Sequence, residues 1–259
     1  MSSNRLRLNP SKTQFIWLGT RQQLAKLDMS ALAAVFPDLT FSSVVRDLGV
    51  TLDQELTFAS HINRLTRNCF YQLRQLRIVS RSLTPSAAST LIHCFVTARL
   101  DYCCSLYAGL PASRLGCLDR VFHSAARLIG RIPKFAHVSS FMRDVLHWLP
   151  IEQRIEYRIA ALVWRCSLGI APSYLVSSLA LSSAQGGSRS LRSSEQGLLL
   201  VPFARPSTRQ HRAFSVVGPS TWNSLPQDLC LLPRTLSSTF FSHLKTALFS
   251  RAGVGSTSE

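Results

Sequence analysis

The chain has 259 residues, 46% of them hydrophobic, which is enough to bury a sizeable core in one or two domains. Its 29 Lys and Arg against 13 Asp and Glu give a net charge of +16, which favours a polyanionic partner. The seven scattered cysteines lack C-x-x-C spacing, so we expect reduced thiols and a cytoplasmic or nuclear protein. No apolar run is long enough to span a bilayer, and no signal peptide is recognisable. We therefore expect a soluble protein with no membrane partner.

Residues 1–56 predict a small α/β region. The apolar, β-prone run 13–18 predicts an opening strand, which needs a sheet to join. Leucines at helical spacing predict a helix over 22–35. Two further β-prone runs, 41–45 and 48–52, predict a hairpin or a sharply bent strand.

Residues 57–179 predict a helical domain, and its first helix, 58–79, is the most informative element. One apolar stripe of this helix consists of Phe58, Ile62, Leu65, Cys69, Leu73 and Leu76. A different face carries Arg64, Arg67, Phe70, Tyr71, Arg74, Arg77 and, just beyond the helix, Arg81. Because no acid occurs between Glu55 and Asp101, we favour a face that follows nucleic acid, with aromatic rings for base stacking, over an ordinary solvated face.

Further helices are predicted in the same domain over 85–99, 113–128, 138–146 and 151–168. Thr84 is expected to cap the first of these, with Pro85 at its first helical position.

The remaining chain is less regular in pattern. Residues 180–212 predict a basic, Ser/Gly-rich flexible linker. Within 213–250 we expect a strand over 213–217, a turn at Gly218-Pro219, a short helix or turn bearing Trp222, and an amphipathic helix over 240–250. A disordered tail, 251–259, is expected to follow.

No reaction site is recognisable. The sequence has no Asp-Asp pair, H-E-x-x-H, G-x-S-x-G, Walker loop or G-x-G-x-x-G. The candidate metal ligands His93, Cys103, Cys117 and His123 fit no zinc spacing. Glu152 and Glu156 are better explained by the dipole at a helix start than by metal binding. The residues alone therefore predict a mainly α, basic protein that binds an anion.

Several segments, in their order and spacing, resemble a known family. These are "LNPSKTQFIWLG", "VVRDLGVTLDQELTFASHI", "LDYCCSLYAGLP", "LDRVFHSAARLI", "HWLPIEQRIEYRIAALVWRCSLGIAPSYL", "AFSVVGPSTWNSLPQDL" and "FFSHLKTALF". Together they resemble the C-terminal part of the reverse transcriptase of non-LTR, LINE-type retrotransposons of the jockey-like kind. The resemblance implies a palm edge at 1–56, a helical thumb at 57–179 and the family's C-terminal region beyond.

The resemblance also implies what this chain lacks. In the family, three aspartates that hold catalytic Mg²⁺ precede the segment matching residues 8–18, so we expect a truncated RNA-directed DNA polymerase fragment with no cofactor and no polymerase activity. Lys12 matches a lysine near the phosphates of the incoming nucleotide, although an ordinary turn lysine is the favoured interpretation. Trp222 matches a signature residue, and we favour a buried anchor over base stacking. The expected partner is RNA or an RNA–DNA hybrid, bound without sequence preference.

A different class of function remains open. The helical part would then be a protein-interaction scaffold whose charge is incidental. Phe240, Leu244 and Leu248 on the last helix would dock a partner in a groove.

Overall fold

The computed structural model describes residue 9 and residues 13–36, 39, 41–179, 197–205, 209–235 and 238–252. These residues are mainly helical and include a single two-stranded sheet, which confirms the predicted mainly α class in its coarse form. The chain divides into two compact units, one ending at Asn68 and the other beginning at Cys69. The sequence had suggested a boundary at residue 56 instead. Among the described residues, no helix is both long enough and apolar enough to cross a bilayer.

The first unit contains two short helices, a hairpin and the start of a long helix. Their bounds are α1 Arg21–Leu24, α2 Met29–Val35, β1 Val44–Asp47, β2 Val50–Asp53 and α3 Ala59–Val79, of which α3 continues into the second unit. The single helix predicted over 22–35 is wrong. Asp28 accepts hydrogen bonds from the backbone N–H groups of Ser30 and Ala31, which starts a new helix at that point.

The hairpin is confirmed, with its turn two residues later than predicted. Strands β1 and β2 are antiparallel, with Val45 opposite Leu52. The turn is Leu48-Gly49, where both residues have positive φ (43° and 87°), as the tight turns favoured in hairpins require. The strand predicted over 13–18 is wrong in extent. Within the described residues it makes only one isolated parallel bridge, between Phe15 and Phe41.

The second unit is a helical assembly. Its helices are α4 Pro85–Ile92, α5 Ala98–Asp101, α6 Ala112–Gly130, α7 Ser139–Asp144, α8 Ile151–Ser167, α9 Ser173–Val176, α10 Phe214–Asn223, α11 Gln227–Cys230 and α12 Thr239–Arg251. Shorter 3₁₀ segments cover Ser80–Ser82, Cys104–Tyr107 and Arg209–Arg212, and a π-helical turn, His93–Thr97, links α4 to α5. The Thr84 side chain accepts the backbone N–H of Ala87 and Pro85 is the first helical residue, so the predicted cap is confirmed.

An aromatic stack joins the helices around α8. The rings of Trp164 and Phe240 lie 4.2 Å apart and nearly parallel, and Trp222 extends the stack. All three side chains are buried. The guanidinium of Arg234 covers both indoles, 4.7 Å from the ring centre of Trp164 and 5.0 Å from that of Trp222. The interpretation of Trp222 as a buried aromatic anchor is therefore confirmed.

The strand predicted over 213–217 and the turn predicted at Gly218-Pro219 are wrong, because α10 runs through both. Gly218 lets α10 approach α8 closely: a Cβ added there would lie 3.3 Å from the side chain of Val163. Pro219 is accommodated inside the helix and is buried. Burial against α8 thus overrides the local preference of a Gly-Pro pair for a turn.

Only part of the predicted linker lies among the described residues, which leave out 180–196 and 206–208. The backbone of Leu199 exchanges two hydrogen bonds with the side-chain amide of Asn223, at 2.9 and 2.8 Å. The indole N–H of Trp222 donates to the carbonyl of Gly197. Residues 197–199 are therefore attached to α10. Of the predicted tail, Arg251 ends α12 and residues 253–259 lie outside the described part.

Candidate nucleic-acid interface

The part of α3 in the second unit presents different faces to the core and to solvent. Leu73 and Leu76 are buried, as the apolar stripe predicted. Arg74 and Arg77 are exposed on the same helix, and Arg81 is exposed in the 3₁₀ segment that follows. Burial of the leucines fixes the rotation of this segment, and that rotation directs the three arginines outward.

A second basic wall comes from the end of α6. This helix stops at Arg131, which has the left-handed conformation (φ 50°), and the next N–H, of Ile132, donates back to the carbonyl of Arg127 at 3.0 Å. The half-buried Arg127 donates from its guanidinium to the carbonyl of Ala136, 3.2 Å away. This bond ties the helix end to the segment that follows it. Arg127, Arg131 and Lys134 thereby come to one side of the helix end.

Between these two walls lies a groove of about 820 Å³, here called the basic groove. Its lining comprises Phe70, Leu73, Arg74, Arg77, Ser80, Arg81, Ser124, Arg127, Leu128, Arg131, Ile132 and Lys134. Half of these described residues are cations, and none is an acid. The walls are the end of α3 with its 3₁₀ extension on one side, and the end of α6 with the following segment on the other.

Arg131 connects the two walls. Its guanidinium donates to the carbonyl of Leu83 at 3.1 Å and to that of Ser80 at 3.4 Å. Arg131 itself follows α6, whereas both acceptors belong to the chain that follows α3. Hydrogen bonds from a charged donor are stronger than neutral ones, so this link holds the walls together.

The ion pairs among the described residues of the second unit involve side chains outside the lining of the basic groove. Asp101 pairs with the guanidinium of Arg154 at 2.8 Å, and Arg154 also covers the ring of Phe122. Glu156 pairs with Arg251 at 3.1 Å. The cations of the groove are therefore not matched by acids in its described lining, and their fields add at an anion placed there.

The structure brings some of the predicted binding residues together and separates others. Phe70, Arg74, Arg77 and Arg81 line the basic groove, whereas Tyr71 is 57% exposed but outside its lining. The helical spacing predicted a shared face for this stretch, but it did not predict a cavity.

The remaining predicted residues belong to the first unit or lie outside the described residues. Arg64 donates to the carbonyl of Gly49 at 3.2 Å, so it supports the hairpin turn. Arg67 is exposed on α3. Lys12, the predicted phosphate-proximal lysine, lies outside the described residues.

Sequence reasoning missed Arg127, Arg131 and Lys134, which form the second wall. A signal for them exists, since residues 120–143 contain no acid and these cations cluster around a helix end. What the sequence does not reveal is that this helix end meets the end of α3.

Two kinds of group among the described residues bear on reactive chemistry, the buried cysteine thiols and the side chains that could bind a metal ion. Burial raises the pKa of the Cys69 and Cys104 thiols to about 11, so both stay protonated and unreactive near neutral pH. Within the described ranges no three His, Cys, Asp or Glu side chains come together to hold a metal ion. The described residues therefore do not come together as the Mg²⁺ site of a two-metal polymerase would require.

The apolar strip proposed for protein docking is covered by the chain itself. Phe240, Leu244 and Leu248 are buried in the core around Trp164 and Trp222. The scaffold interpretation loses this docking surface.

Comparisons with protein-family models, with curated proteins and with solved structures find no match to this chain. The charge, exposed rings and geometry of the basic groove are therefore the observations that bear on its function.

Proposed function

We propose that the chain binds the phosphate backbone of RNA or of an RNA–DNA hybrid through the basic groove, without sequence preference. The observation that carries this proposal is a cavity lined by six cations and no acid in its described part. Binding of this kind depends on phosphate neutralisation and counterion release, which do not distinguish one base sequence from another.

The residue type and spacing suit phosphate. Five of the six cations are arginines, whose planar guanidinium can donate two hydrogen bonds to one phosphate. Arg74, Arg77 and Arg81 recur every three to four residues, which separates them by about 5–6 Å along a helix. Successive cations can therefore contact separate phosphates of one strand.

In the family that the sequence resembles, this region would be the thumb of a LINE-type reverse transcriptase, which follows the template–primer duplex. We propose that the described residues supply binding to the phosphate backbone and no catalysis. The support is the absence of any Asp-Asp pair from the sequence together with the basic groove itself.

The test is a salt titration with charge-reversed variants. Arg74→Glu with Arg77→Glu removes two cations from one wall of the basic groove. We expect weaker RNA binding by about a hundredfold at 0.1 M salt, since each lost charged hydrogen bond contributes roughly tenfold. The slope of log K against log[salt] should become shallower by about two.

The matched control is Arg99→Glu with Arg165→Glu. Both arginines are exposed in the second unit, lie outside the basic groove and give the same change of net charge. If both double variants weaken binding equally, net charge and not the groove is responsible, and the proposal is wrong. It also fails if the unmodified chain does not bind RNA at low salt.

A further inference from the structure

Two phenylalanine rings lie beside the cations of the basic groove. Phe70 on α3 forms part of the groove lining and is 36% exposed. Phe135 follows Lys134, a lining residue of the other wall, and is 90% exposed. The Lys134 ammonium lies 5.2 Å from the centre of the Phe135 ring. Each wall thus contributes cations with an accessible aromatic ring next to them.

The segment that carries Phe135 is held by hydrogen bonds. The N–H of Ala136 donates to the carbonyl of Pro133 at 3.2 Å, which closes a turn around the phenylalanine. The carbonyl of Ala136 in turn accepts from the Arg127 guanidinium. The ring is therefore presented to solvent by a fixed turn, although burying it would be favourable.

Exposed rings beside phosphate-binding cations suit one form of nucleic acid. In a duplex the base faces are stacked on one another, and mainly the backbone and the groove edges are accessible. A single strand exposes base faces, which stack on aromatic side chains while arginines contact the phosphates. A duplex would contact the arginines through its phosphates but would offer neither ring a base face to stack on.

We propose that the basic groove takes single-stranded nucleic acid, with bases stacked on Phe70 and Phe135 and phosphates on the arginines. This inference rests on the phosphate binding of the proposed function and makes the unpaired strand, and not an RNA–DNA hybrid, the preferred form. Phe135, which sequence analysis did not single out, is then a specificity-determining residue. Since stacking does not depend on the sugar, RNA and DNA strands of equal sequence should bind similarly.

The experiment compares three probes of twelve units: an unpaired RNA strand, the corresponding RNA duplex, and a phosphodiester chain without bases. Because both rings contribute, we expect the unpaired strand to bind more than tenfold more tightly than either of the other two. Phe135→Ala should weaken binding of the strand by about tenfold and leave the baseless chain unaffected. Phe70→Leu should act in the same direction.

Phe203→Ala is the matched control, because Phe203 is 86% exposed in the same unit but has no lining residue beside it in the chain, whereas Phe135 directly follows the lining residue Lys134. We expect it to bind all probes as the unmodified chain does. If the duplex binds as tightly as the strand, or if both Phe70→Leu and Phe135→Ala leave strand binding unchanged, the inference is overturned while phosphate binding stands. If no probe binds at low salt, the proposed function fails as well.

Discussion

His61 shows how burial fixes the protonation state of one residue. It lies buried on α3, and its Nδ1 accepts the backbone N–H of Thr51 in β2 at 3.2 Å. Burial lowers the pKa of His61, and the positive charge of Arg64 lowers it further. The folded form is therefore neutral, with Nδ1 unprotonated. Because the unfolded chain binds a proton more readily, the contribution of His61 to stability is present above its ordinary pKa and is lost as the pH falls below it.

We expect acidification from pH 7.5 to 5 to reduce the protection of the Thr51 amide against hydrogen exchange. The reason is that a protonated Nδ1 cannot accept this N–H. Amide exchange followed by NMR, corrected for the intrinsic pH dependence, measures the effect. His61→Gln keeps an acceptor that does not titrate, and it should flatten the pH dependence. An unchanged protection factor over this range, or an equal loss in His61→Gln, would contradict a role of His61 in the pH dependence.

At the scale of elements, helical periodicity predicted the packing face of α3 and placed Phe240, Leu244 and Leu248 on one side of α12, since a strong 3.6-residue repeat survives in almost any tertiary context. It failed over 213–219, where a short apolar run followed by Gly-Pro does not separate strand from helix. The contact of Gly218 with Val163, more than fifty residues away, decides the outcome. The same distinction applies to the two walls of the basic groove. The wall from α3 could be predicted from the spacing of arginines within one helix, whereas the wall from α6 depends on a tertiary contact that the sequence does not show.

The link between α10 and residues 197–199 provides a test at this scale. Asn223→Asp keeps the acceptor for the Leu199 N–H but places a carboxylate against the Leu199 carbonyl. We expect the free energy of unfolding to fall by about 1–3 kcal/mol at pH 7, the cost of an unsatisfied or repulsive polar pair. Urea unfolding followed by tryptophan fluorescence measures it.

Gln227→Glu, the same amide-to-acid change at an exposed position beginning α11, is the control and should stay within about 0.5 kcal/mol of the unmodified chain. Equal losses in the two variants would show that the amide of Asn223 contributes nothing particular.

At the scale of the whole molecule, a net charge of +16 opposes the compact state by self-repulsion. The basic groove concentrates six of the cations responsible. Sodium chloride screens such repulsion within a Debye length of about 10 Å at 0.1 M.

We therefore expect the melting temperature to rise by roughly 2–4 °C between 20 and 300 mM sodium chloride, corresponding to about 1 kcal/mol. Differential scanning calorimetry without nucleic acid measures the rise. It should be smaller in the Arg74→Glu, Arg77→Glu variant, whose net charge is lower by four and whose groove holds fewer like charges. A melting temperature that falls with salt, or does not change, would mean that ion pairs such as Asp101–Arg154 outweigh the repulsion.

The guanidinium of Arg131 donates to the main-chain oxygens of Ser80 and Leu83, and it thereby links the two walls of the basic groove. Widening the basic groove would break these hydrogen bonds, so they oppose a change of its width when a ligand binds. We expect this link to favour a single strand over a duplex, because the cations attract both from a distance but a groove that does not widen takes the narrower strand more easily. The same arginine thus supplies part of the attraction and also limits what can exploit it.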